Sequence, residues 1–87
     1  MTDSELKNIL EICNKATKAP WKSYIEGRDF ISGSHFIMTG EGENRDYDIE
    51  FLKIKPEDQD FIAMARNIIP LLVNEIVNLK SQQDDIL

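Results

Sequence analysis

The 87 residues include one histidine and one cysteine, so a cysteine–histidine dyad would have to join Cys13 to His35. Cys13 falls on the apolar side of a helical repeat, where a thiol is far more often buried and inert than nucleophilic. No Gly-x-Ser-x-Gly elbow, His-Glu-x-x-His pair or P-loop occurs. Gly40-Glu41-Gly42 has two glycines and acidic neighbours that would repel phosphate, so it reads as a hairpin turn. Asp46, Asp48, Glu50 and Glu57 match the ligand spacing of a calcium loop, but Phe51 stands where the sharp turn needs glycine. A strand with Tyr47, Ile49 and Phe51 on one side explains the same carboxylates as a solvated face. The expectation is a non-enzymatic protein with no metal and no cofactor.

Binding chemistry is better represented. Trp21 and Tyr24 lie among Lys18, Lys22 and Arg28, a sparse interleaving of aromatics and cations. Such a set can stack single-stranded bases, or hold a nucleotide-like small molecule by stacking and charge-assisted hydrogen bonds. A core tryptophan beside surface lysines has the same spelling. Arg66 sits in Phe61-Ile62-Ala63-Met64-Ala65-Arg66-Asn67, one place from an apolar seam. It either pairs with a carboxylate, such as Glu57 or one on a neighbouring subunit, or projects into a pocket between subunits. Six of the ten Lys and Arg residues fall in 18–55, so Arg45, Lys53 and Lys55 are the cations to add potential for an anionic ligand.

The elements that must position these groups follow from the hydrophobic pattern. Thr2 and Glu5 have capping-box spacing, and Leu6, Ile9, Leu10, Cys13 and Ala16 recur at helical spacing, which predicts a helix over 3–17 ended by Pro20. Residues 21–54 read as a small antiparallel meander of three or four strands. The runs are 21–25, a brief 29–32 between Gly27 and Gly33, 35–39, and 47–51. Pro56 suits the first position of a second helix over 57–86. Ile62, Ala65, Ile69, Leu72, Ile76, Leu79, Gln83 and Ile86 occupy its consecutive a and d heptad positions, an isoleucine-and-leucine choice that suits two strands if the helices run parallel. Pro70 predicts a kink rather than a break, because the heptad phase continues across it. Thirty helical residues span roughly 45 Å, more than the body of so small a domain, so the second half should be frayed or paired with another chain. The expectation is one α+β domain, 1–87, whose long helix is an oligomerisation seam through Ile62, Ile69, Leu72, Ile76 and Leu79.

Composition sets outer limits. The net charge is −6, with 30% charged and 41% hydrophobic residues. That balance suits a globular chain and opposes duplex DNA or an anionic membrane surface as main partner. A single cysteine leaves no internal disulfide and points to a reducing compartment. No apolar stretch is expected to reach membrane-span length, and MTDSELKN lacks the basic and apolar regions of a signal peptide, so the expected location is cytoplasmic.

The stretch Phe61-Ile62-Ala63-x-Ala65-Arg66-x-x-x-Pro70-x-Leu72 after Asp58, together with a short helix ending in Ala19-Pro20-Trp21, resembles the Ead-like early-region proteins of bacteriophages. It is also similar to phage anti-Thoeris proteins, which sequester a cyclic ADP-ribose-type immune signal. The resemblance covers the two helices and the Pro-Trp step. It implies a homo-oligomer in an infected or lysogenic bacterium that holds a cyclic ADP-ribose-like or cyclic oligonucleotide signal between subunits. By position, Phe61, Arg66 and Trp21 are the residues it marks for ligand contact, with Pro70 structural. Gln59 stands where alanine is usual, and the hairpin is short and acidic. A coiled-coil protein-interaction module is the alternative reading of the same helix.

Overall fold

The computed structural model describes residues 1–86, with side chains as far as Gln83. The first helix, α1 (Asp3–Lys15), starts at the expected capping box. Thr2 Oγ1 accepts from the Glu5 N–H at 3.1 Å, and the Glu5 carboxylate accepts from the Thr2 N–H at 2.8 Å. The helix stops two residues short of the expected end. Ala16 is extended and caps it, which releases the Thr17 carbonyl for contacts elsewhere. Pro20 follows Ala19 through a cis peptide bond.

Three strands follow, β1 (Trp21–Tyr24), β2 (Phe36–Thr39) and β3 (Asp48–Glu50), antiparallel in the order β1-β2-β3. Trp21 pairs with Thr39 and Tyr24 with Phe36, while Phe36 also pairs with Glu50. The possible fourth strand does not form. Residues 25–35 make a braced loop with only an isolated Glu26–Phe30 bridge. There the Asp29 carboxylate accepts the Ile25 N–H at 2.8 Å, giving the backbone a local partner in place of a ladder. Gly40 closes β2 at φ +74°, and a Cβ there would lie 1.9 Å from the Asn44 carbonyl oxygen, so the turn requires glycine.

The second helix, α2 (Pro56–Ile86), runs 31 residues through Pro70 without a break. One side of it is covered twice. The sheet lies along its first half, where Gln59 and Asn67 hydrogen-bond to β1, and α1 lies along its second half, where Lys80 meets Asp3 at 2.6 Å. Leu6, Ile25, Ile37, Ala63 and Val73 form the buried core of this side. On this side the second half is supported by α1 as far as Lys80. The expected overhang holds for the sheet alone, because α1 turns back along the helix and supports it.

The opposite side of α2 is open. Phe61, Leu71, Leu72 and Leu79 are 62, 62, 55 and 51% exposed, and Met64, Ile68 and Ile69 are also exposed. Of the expected seam, Leu72 and Leu79 face outward most, Ile62 and Ile69 less so, and Ile76 is half-buried. The side chain of Ile86 lies outside the described residues. The expectation about membrane-span length needs correction: over Pro56–Gln83, α2 is long and apolar enough to cross a membrane by length and composition. Between Phe61 and Leu79 its polar residues, Arg66, Asn67, Asn74, Glu75 and Asn78, are spread thinly enough to leave a long apolar average.

Candidate functional site

Two of the expected ligand residues meet at one atom. The carbonyl of Thr17, just past the end of α1, accepts from the Trp21 indole Nε1–H and from the Arg66 Nε–H, each at 3.0 Å. The early stop of α1 makes this possible, since a Thr17 inside the helix would direct its carbonyl along the axis. Arg66 reaches it from the middle of α2, and Asn67 locks the register alongside. The Asn67 amide accepts the Trp21 N–H at 2.7 Å and donates to the Trp21 carbonyl at 2.9 Å, as a neighbouring strand would.

Within its own chain, Arg66 ends on a backbone carbonyl. It makes no ion pair with Glu57 or any other carboxylate among the described residues. Only Nε is used, and the two terminal nitrogens of the guanidinium have no partner among the described residues. A guanidinium anchored by one edge presents its remaining N–H groups in the fork that suits carboxylate or phosphate oxygens.

The other expected cations are not gathered there. Arg45 lies near Thr17 across a shallow depression of about 350 Å³ lined by Lys15, Lys18 and Asp46. Its own guanidinium is committed to the Asp48 carboxylate and to the Thr39 and Asp46 carbonyls. Lys53 and Lys55 sit at the far end of the sheet, beyond the pairing of Phe51 with His35, where α2 begins. Phe61 belongs to the open face of α2, where it is 62% exposed. Lys22 is paired with Glu41, which raises its pKa by hydrogen bonding and charge. Arg28 is held by Asp60 and Asp29, and these bonds lower both carboxyl pKa values. His35 Nδ1 accepts the Glu26 N–H at 3.1 Å, and Cys13 is a free, half-buried thiol on α1.

Gln59 was not among the expected site residues. It is fully buried, and its Nε2 donates towards Ser23 Oγ and the carbonyls of Tyr24 and Phe36 at 2.9–3.1 Å. Two carbonyls fix the amide orientation, leaving Oε1 without a partner in the chain. The available signal was an amide at 59 and another at 67, two helical turns apart on an otherwise apolar side. Its meaning depends on strand contacts 23–46 residues away in sequence.

A groove of about 330 Å³ separates α1 from the last turns of α2, with Leu6, Leu10 and Val77 as floor and Lys7 and Lys80 at the rim. It includes none of the expected ligand residues. No family model, curated protein or solved structure matches this chain.

Proposed function

We propose that the protein is a non-enzymatic binding protein that acts as a homo-oligomer joined through the open face of α2. The face itself carries the reading. Phe61, Ile62, Met64, Ile68, Ile69, Leu71, Leu72 and Leu79 lie along it, each between about a third and two-thirds exposed. Together they amount to on the order of 800 Å², the area a standard stable interface takes from each side. A monomer's largest patch is typically about 300–600 Å². Between Phe61 and Leu79 the open face carries one charge, Glu75, and no cation. An anionic lipid surface calls for lysine and arginine at the rim, so a second protein surface is the better occupant.

The ligand in this reading is an anionic, nucleotide-derived signalling molecule, sequestered without turnover in the bacterial cytoplasm. Two features support it: the resemblance to phage signal-sequestering proteins, and the half-committed Arg66 beside the Trp21 indole. A guanidinium fork for phosphate and an aromatic face for a base are the two contacts such a molecule needs.

Sedimentation equilibrium of the wild type and of the Leu72→Glu/Leu79→Glu variant tests the assembly. The expected result is an oligomer reduced to monomers by the double substitution; a wild type that stays monomeric at 100 μM would overturn it. Calorimetric titration with cyclic ADP-ribose and with a cyclic dinucleotide tests the ligand class. Binding should weaken about 30-fold or more in Arg66→Ala, corresponding to about 2 kcal/mol or more for a lost charge-assisted bond. Ligand released by heating should be chemically intact. Absence of binding by both compounds would leave the protein-interaction reading of α2 as the function.

A further inference from the structure

We infer that the free edge of β3 takes an extended, basic segment of another protein as a fourth strand. The inference goes beyond the α2 face and the Arg66 junction and depends on neither. The sheet treats its two edges differently. At β1, Asn67 occupies both outward backbone groups of Trp21. At the other edge β3 pairs with β2 alone, and the hydrogen bonds of α2 go to β1 and β2. The register shows which backbone groups of β3 are spare. The Phe51 N–H goes inward to the His35 carbonyl at 3.1 Å, and Ile49, two residues back, pairs with Ile37. Direction alternates along an antiparallel strand, so the N–H and C=O of Asp48 and of Glu50 point outward. Two donors and two acceptors thus stand at ladder spacing, the template on which an extended peptide adds to a sheet.

Charge selects the occupant. Asp48 and Glu50 lie on one face of the sheet, opposite Met38 and Phe36 of β2. Arg45 already holds the Asp48 carboxylate, whereas Glu50 has no cation beside it among the described residues. Residues 41–50 contain five carboxylates and one cation. A second copy of β3 would set carboxylate against carboxylate, and like charges directly opposite are destabilising. The edge is therefore closed to its own kind and complementary to a strand that places Lys or Arg opposite Glu50. Two exposed apolar side chains bound it, Tyr47 at 61% and Leu52 fully exposed. A strand whose charges served only to keep neighbours away would gain nothing from them. Beside an added strand they give apolar contact at each end of the ladder.

Fluorescence anisotropy with a labelled Thr-Lys-Val-Lys-Val-Lys-Thr peptide tests this, beside the same peptide N-methylated on its lysine amides and a version with glutamate for lysine. The expected result is saturable binding of the first peptide only, with slowed hydrogen exchange at the Asp48 and Glu50 amides. Glu50→Gln should weaken binding about 3-fold, through loss of one cross-strand charge pair. Glu50→Pro also removes an outward N–H while sparing the ladder to β2, and should weaken it about tenfold or more. No binding of the lysine peptide by the wild type would overturn the inference. So would equal binding of the N-methylated peptide, or unchanged exchange at the two amides, since either shows attraction by charge without strand addition. These two measurements use the wild type, so they decide the matter even if Glu50→Pro does not fold.

Discussion

Asn67 does the work of a strand with a single side chain. Its amide takes both backbone groups of Trp21, so α2 blocks that stretch of the β1 edge, where an open edge would invite pairing with another chain. Replacing it with alanine leaves a donor and an acceptor of Trp21 without their partner, and unsatisfied groups cost about 1–3 kcal/mol. Asn67→Ala should therefore lower the unfolding free energy by that amount and move the urea midpoint down in proportion, and Asn67→Asp should recover only the Trp21 N–H contact. A midpoint unchanged in Asn67→Ala would mean that the clip adds nothing over water. Arg66 and Gln59 belong to the same scale. Both are long polar side chains on an apolar helix that end on backbone carbonyls, which is why neither partner could be read from neighbouring residues.

At the level of elements, α1 is held to α2 chiefly by Leu6, the most deeply buried residue of the first helix. Leu6→Ala should cost about 2–5 kcal/mol, as truncations of buried leucines do. Because α1 positions the Thr17 carbonyl, the same change should loosen Trp21 and be visible as a shift in indole fluorescence. Loss of stability with the indole signal unmoved would disprove the coupling between α1 and the Trp21 junction. Much of this level was legible in the sequence. The capping box at Thr2 and Glu5, the proline at the start of α2 and the alternations around residues 21–24, 36–39 and 48–50 are local signals, and each element formed where they lie. Two expectations failed for reasons the hydrophobic pattern does not carry. The Asp29 run became a loop because its own carboxylate satisfies Ile25, and α1 stopped early at Ala16, leaving the Thr17 carbonyl to tertiary partners. At the candidate site the residue types were legible, but their grouping was not. Trp21 and Arg66 converge on a backbone atom that has no signature in sequence, whereas Lys53, Lys55 and Phe61 lie on other parts of the fold.

Across the whole molecule, four carboxylates have pKa values below their ordinary ones: Asp3 through Lys80, Glu5 through Thr2, and Asp29 and Asp60 through Arg28. Each is held more readily as the anion when folded. Their contributions to stability are present above the unfolded carboxylate range, about pH 4, and are lost as pH falls through the lower folded values. Urea midpoints of the Leu72→Glu/Leu79→Glu protein between pH 6 and 2 should therefore fall on acidification, and Asp60→Asn should flatten the curve. A midpoint that rises with acid would contradict these ion pairs.

The two partners of α2 lie end to end along one side of it, and the resulting body measures 58 × 27 × 18 Å with a radius of gyration of 16.4 Å. A compact chain of this length would have a radius near 12 Å. Such a rod drags more water than a sphere of equal mass, so a single 10.0-kDa chain should elute from a sizing column ahead of globular standards of its weight. Two copies joined side by side through α2, as proposed, would double the mass while adding little length. The dimer is then the rounder particle, and its frictional ratio should fall on association, so that Stokes radius grows more slowly than mass.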